Sequence, residues 1–128
     1  MAIRIVRLGT RRVPGEGTRI GTVLRPPRGV PKSEFASGNW YDVWFPTLAP
    51  SVETMKAAQD ATTPGEWASF VRRYRKEMRA PDAAHAIELL AVLSRSANFS
   101  VGCYCADETR CHRSVLRELL AGKGAVFA

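Results

Sequence analysis

Residues 103–116 read CYCADETRCHRSVL. All three cysteines of the chain, one of its two histidines and two of its arginines fall between Cys103 and Arg113. Thiols, an imidazole and guanidinium groups in one stretch suit three chemistries. They can ligate a soft metal, raise a thiolate nucleophile, or bind an anion.

Spacing weighs against a metal. Two thiolates held ~2.3 Å from one zinc lie ~3.8 Å apart. Residues i and i+2 of a strand lie ~6.6–6.8 Å apart on one face. Cys103 and Cys105 therefore share an ion only if the strand ends or kinks between them. Cys111 and His112 are neighbours, and in a helix their side chains diverge by ~100°. The Cys-x-x-Cys spacing of a zinc knuckle is absent. No metal ligand is assigned, and the cofactor is left open.

A thiolate is better served. A strand that ends in a short loop and a helix N-terminus surrounds a thiol with helix dipole and free N–H groups, which lower its pKa. Cys105 falls at the expected strand end. Cys111 falls in the first helical turn beside His112, with Arg110 and Arg113 near. CADETR also has the Cys-x4-Arg spacing of rhodanese sulfurtransferase loops, but it carries Asp107 and Glu108, which repel an anion. The Cys-x5-Arg spacing of tyrosine phosphatases does not fit, because the position after Cys105-x5 is Cys111. Against these stands packing alone, since free cysteine is among the most buried residue types.

Anion binding uses the same place. Ligands of parallel sheets sit at the carboxyl ends of the strands, where helix N-termini point. Arg110, His112 and Arg113 would line such a mouth, joined by Arg25 and Arg28 of RPPRG (25–29). Helical phase puts His112 in line with Val115, Leu116 and Leu119, towards a core. It puts Arg113 in line with Arg117, towards solvent. His85 has no chemical neighbours and reads as structural or exposed.

The elements that must position these groups follow from pattern. IRIVRL (3–8) is a β-branched strand. RRVPGEGTR (11–19) is a loop, and IGTVL (20–24) a second strand ended by Pro26 and Pro27. PKSEFASGNW (31–40) is irregular with one helical turn, and YDVWF (41–45) is strand or extended. Ser51 caps a short helix to about residue 60. Thr63, Pro64 and Glu66 form a capping-box start, followed by Trp67, Phe70, Val71, Tyr74 and Met78 as an apolar stripe. Arg72, Arg73, Arg75, Lys76 and Arg79 fall mostly off that stripe. Asp82 caps a helix over 83–95 that buries Ile87, Leu90 and Leu93. FSVGCYC (99–105) alternates as a central strand, and a last helix runs from Cys111 to about Leu120, stopped by Gly122. Strands separated by helices indicate an α/β fold. One compact domain over 1–128 is expected, with a small, mainly parallel sheet flanked by helices.

Composition bounds the rest. Hydrophobic residues make up 45% and charged residues 24%, which suits a globular core. No apolar run is long enough to span a membrane, and the N-terminus lacks a secretory pattern, so a cytoplasmic location without a membrane partner is expected. An odd, clustered cysteine count opposes a disulfide framework. The net charge is +7, and 15 of the 19 basic residues are arginine. Arginine favours bidentate phosphate or carboxylate recognition, though a GC-rich genome gives the same bias.

Four segments, PPRGVPKSE (26–34), YDVWFPTLAPS (41–51), the Trp67–Phe70–Tyr74 helix and CYCADETRCHRSVL, occur in one order along nearly the whole chain. Together they resemble the domain-of-unknown-function 488 family. Its marks are Pro27-Arg28-Gly29, Leu48-Ala49-Pro50-Ser51 and Cys111-His112-Arg113. Many relatives carry Arg-Leu-Trp before the first mark, where this chain has Leu24-Arg25-Pro26. Some relatives keep the histidine of the last mark without its cysteines. The resemblance implies a small bacterial α/β protein of the cytosol and supplies no activity.

The leading expectation is a domain that binds or acts on an anionic, phosphate-containing small molecule or nucleotide. Arg25, Arg28, Ser51, Arg110 and Arg113 would bind it. In an enzymatic version Cys105 or Cys111 is the nucleophile and His112 the general base. One alternative is a nucleic-acid-binding module using the basic helix between Arg72 and Arg79. Another is a metal-binding or redox-active thiol protein.

Overall fold

The computed structural model describes residues 1–128. Four strands form one sheet in the order β1-β4-β2-β3, with β1 Ile3–Arg7, β2 Thr18–Gly21, β3 Val43–Trp44 and β4 Phe99–Cys103. Every pairing is parallel. The helices are α1 Val52–Asp60, α2 Pro64–Glu77, α3 Pro81–Leu93 and α4 His112–Gly122. No helix is long and apolar enough to cross a membrane.

β4 is central because nothing on it needs water. All five residues are buried, and β1 and β2 hydrogen-bond to its two sides. Phe99 and Val101 point into a core shared with Phe70 and Tyr74 of α2, Ile87 and Leu90 of α3, and Leu116 and Leu120 of α4. The helices therefore cover one face. The opposite face lies under the loop after β1 and the turn before β3. Two glycines permit that cover. A Cβ on Gly102 would lie 2.7 Å from Leu8 Cδ2 and 2.8 Å from the Val6 carbonyl oxygen, and one on Gly21 would lie 2.4 Å from the Tyr41 ring.

Under that second face a charged network is closed off from solvent. Arg19 is fully buried and Glu16 nearly so. Arg19 Nε donates to Glu16 Oε2 at 2.8 Å and its NH2 group to Oε1 at 3.0 Å. Its remaining terminal nitrogen donates to the Thr10 and Asn39 carbonyls, each at 2.8 Å. Ser100 Oγ donates to Glu16 Oε2 at 2.6 Å. Burial pushes the Glu16 carboxyl up, but the hydrogen bonds from Arg19 and Ser100 reverse this and hold it at about 2.

Several boundaries differ from expectation. β2 starts at Thr18, because Glu16 makes Arg19 acceptable inside a sheet. It ends at Gly21 rather than Leu24, with Thr22 N donating once more to Gly102 O at 3.0 Å. YDVWF contributes only the two residues of β3, at the sheet edge. The capping box at Thr63 is present, with Glu66 N donating to Thr63 Oγ1 at 3.1 Å. α3 begins at Pro81 with Ala80 as its N-cap, so Asp82 lies in the first turn and caps nothing. Leu93 ends that helix 40% exposed and is not core. α4 starts at His112, with Cys111 as its N-cap rather than inside the first turn. Gly122 is its last residue, and Gly124 takes the left-handed conformation (φ 82°) beyond it.

Candidate functional site

The end of β4 sets the site. The strand stops at Cys103, so Cys105 escapes the pleat that would hold the two sulfurs apart. Their Sγ atoms lie 3.6 Å from each other. Cys103 is buried and Cys105 half-exposed. The loop then tightens into a single 3-10 turn, Glu108–Arg110, because Asp107 Oδ1 accepts from Thr109 N at 3.0 Å and Thr109 Oγ1 at 2.7 Å. Glu108 is taken up by Arg117 at 3.0 Å. The two acidic residues that would repel an anion are thus engaged elsewhere.

Cys111 leaves the cap of α4 to the backbone and turns its thiol inward, 3.7 Å from His112 Nδ1. His112 is buried with it, its ring edge-on to Tyr74 at 5.5 Å. Its Nε2 lies 2.8 Å from the Thr22 carbonyl oxygen, which can only accept, so Nε2 carries a hydrogen. That bond orients the ring and leaves Nδ1 to share a proton with Cys111. The chain leaves β2 at Thr22, and the carbonyl freed from the ladder there serves His112.

Arg113 reverses the expectation that it faces solvent beside Arg117. It is 3% exposed. Its NH2 group donates to the Cys105 carbonyl oxygen at 2.6 Å, its Nε has no partner, and no carboxylate pairs with it. Hydrogen bonds from Cys103 and Cys111, with the Arg113 charge behind them, hold the Cys105 thiol far below its ordinary range. Donating those bonds to Cys105 and Cys111, and being buried, push Cys103 far up. Cys111 is drawn down by Cys103 and His112, against the pull of Cys105. Of the three, the partly exposed Cys105 is drawn down and the buried Cys103 pushed up.

Past Tyr104, the residue between Cys103 and Cys105, lies a crevice of about 750 Å³ whose lining holds none of the cysteines, His112 or Arg113. Arg7, Arg25 and Arg28 reach it, and the rings of Trp40 and Tyr104 close its sides. Arg7 Nε donates to the Tyr104 carbonyl at 3.2 Å, and Tyr104 Oη donates to the Arg25 carbonyl at 2.8 Å. None of the molecule's four ion pairs uses these three arginines. The crevice is the arrangement expected for ligands of parallel sheets.

A family model described as DUF488-N3a, the active DUF488-N3 subclade, matches residues 3–124. The chain belongs to the DUF488 family. No curated protein and no solved structure matches it.

In this DUF488 chain the residues singled out by sequence divide into three groups. Cys105, Cys111, His112 and Arg113 come together, joined by Cys103. Arg25 and Arg28 meet in the crevice beside them. Ser51 and Arg110 go elsewhere. Ser51 caps α1 and is held by Glu77, whose carboxylate accepts from its N–H at 2.9 Å and from its hydroxyl at 2.5 Å. Arg110 is exposed and lies over the Trp67 ring at 5.4 Å. His85 is exposed on α3.

Arg7 and Thr22 lie outside the segments that carry the family resemblance, and Tyr104 lies inside one without being singled out. Arg7 is the residue at which strand alternation ends, and that is its only signal. The donor atoms of Cys103, Cys111 and His112 lie within 4.8 Å of one another and are of types that suit a soft ion.

Proposed function

We propose that this DUF488 domain binds a phosphate-bearing small anion, nucleotides included, in the arginine crevice and attacks it with the thiolate of Cys105. One observation carries the reading. Cys105, whose thiol is partly exposed, is held through its backbone carbonyl by a buried guanidinium, Arg113, that has no carboxylate to neutralise it. A buried cation without a counter-ion is costly, and a thiolate near it relieves that cost. Arg7, Arg25 and Arg28 supply the ligand class, because carboxylate-free arginines at one mouth suit phosphate. The description of the subclade as active supports an enzyme over a scaffold.

In the reaction, the sulfur of Cys105 forms a bond to phosphorus as the ester P–O bond breaks. The departing alkoxide takes a proton from a water of the open crevice. The hydroxide left behind cleaves the S–P bond, returning the thiolate and releasing inorganic phosphate. Arg113 steadies the thiolate before attack and after release. Cys111 and His112, both buried, share the proton that keeps Cys111 bonded to its neighbours, so their part is to hold the thiolate rather than to touch the ligand.

The test is calorimetric titration with inorganic phosphate and with adenosine monophosphate, on the parent and on Arg28→Gln, His112→Gln and Arg113→Met. Parent binding, weakened about tenfold by loss of Arg28, supports the reading, a change of ~1.4 kcal/mol. A phosphorylated Cys105 peptide after acid quench supports the chemistry. Folded variants that all bind like the parent would remove this assignment.

A second reading is nucleic-acid binding through α2. Arg72, Arg73 and Lys76 on it and Arg79 just beyond its end are exposed and in no ion pair, while Arg75 is tied to Glu118. Binding to single-stranded or duplex DNA that falls steeply with salt supports it. No binding at low salt would dismiss it.

A further inference from the structure

In the chemistry above Cys103 donates a hydrogen bond to Cys105 and takes part in no bond change. It is buried at the end of the central strand, yet its sulfur is 3.6 Å from that of Cys105. Only Tyr104 separates the two, and that residue is held at both ends, by Arg7 at its carbonyl and by its own hydroxyl on Arg25 O. The backbone at Cys105 is held in turn by Arg113. The pair is thus fixed with one thiol partly exposed and its neighbour buried. Cys111, the other candidate partner, is buried with its sulfur 3.7 Å from His112 Nδ1 and belongs to the far side of the 104–110 loop, whereas Cys103 is next but one to Cys105 in the chain.

We propose that Cys105 is a site of peroxide oxidation and that Cys103 is its resolving thiol, so that the reactive cysteine is switched off reversibly as a Cys103–Cys105 disulfide. In the first step the Cys105 thiolate attacks one peroxide oxygen. The O–O bond breaks, hydroxide leaves, and Cys105 becomes a sulfenic acid while the peroxide is reduced. In the second step the Cys103 sulfur attacks the Cys105 sulfur. The S–O bond breaks, and the hydroxyl leaves as water with the proton of Cys103. A second peroxide would otherwise carry a sulfenic acid to sulfinic acid, which thiols do not reverse. A resolving sulfur already in contact outruns that step. A disulfide at this position removes the nucleophile and is restored by a dithiol.

The inference shares with the proposed function the choice of Cys105 as the reactive thiol, but it needs no ligand. The test uses the reduced, full-length protein after chelator treatment, exposed to hydrogen peroxide and then alkylated. Tryptic cleavage after Arg110 separates Cys111 from the other two cysteines. The expected result is a peptide spanning 96–110 that has lost two hydrogens, with Cys111 alkylated, and full recovery of both thiols with dithiothreitol. In Cys103→Ser, Cys105 accumulates sulfinic acid at least tenfold faster than in the parent.

A Cys105–Cys111 cross-link, an unoxidised Cys105, or equal sulfinic acid in parent and variant would overturn the proposal. Mapping the parent's cross-link decides the matter even if the variant does not fold. A protein that forms the Cys103–Cys105 bond but binds no phosphate leaves this inference standing and removes the proposed function. The opposite pattern removes this inference alone.

Discussion

Two arginines are buried in this molecule, and they are treated in opposite ways. Arg19 makes four hydrogen bonds, two of them to a carboxylate that is itself bonded to Ser100. Arg113 makes one, to a backbone carbonyl, and keeps an unpartnered Nε. The first network is complete, so nothing remains in it for a ligand to do. The second is incomplete, and its one bond goes to the residue that carries a partly exposed thiol. A closed polar network belongs to the scaffold, whereas a buried charge left without a counter-ion marks chemistry.

Removing Arg19 should cause the largest effect. Arg19→Met strands the Glu16 carboxylate inside the protein, and ~3–5 kcal/mol of stability should be lost. Urea denaturation measures it, and pairing the change with Glu16→Gln should return part of the loss. Arg113→Met should cost less in the same experiment, because it leaves behind no buried carboxylate, only a partly exposed thiol that can take up a proton. Equal losses at both positions would erase the contrast.

Acid sharpens the contrast from the other partner. Glu16 is held at about 2 against an ordinary 4.5, so it adds stability at neutral pH that is fully present above 4.5 and lost as pH falls towards 2. Parent stability should fall through that window, and Glu16→Gln should flatten this part of the slope. The next effect is steric. Gly102→Ala forces a Cβ against Leu8 and the Val6 carbonyl, and ~1–3 kcal/mol should be lost by urea denaturation. The smallest is at α2. Arg72→Gln should change stability by less than ~0.5 kcal/mol, as expected of an exposed, unpaired side chain.

The two networks were not equally legible in the sequence. The α/β class, the central place of FSVGC, the Thr63 capping box and the gathering of chemistry at 103–113 all follow from local pattern. Cys103 and Cys105 could be joined only by a strand ending between them, and the strand does end there. Arg113 was hidden because helical phase decides exposure only where solvent covers a helix. In the first turn of α4 the loop 104–110 lies over it instead. Arg19 was hidden by a different cause. Its partner Glu16 lies in an irregular GEG turn, and the third member, Ser100, comes from the far end of the chain. Thr22 and His112 are likewise 90 positions apart, and no periodicity reports a bond between them.

The most direct measurement is site-resolved alkylation of the folded protein across pH, read by mass spectrometry, on the parent and on Arg113→Met. Cys105 should react with a midpoint well below the free-thiol value of ~8.5, and the midpoint should rise in the variant. Cys103 should stay unreactive throughout. If all three thiols are inert until the protein unfolds, or if Cys105 titrates identically with and without Arg113, the cysteines are packing and the thiolate at the centre of this account does not exist.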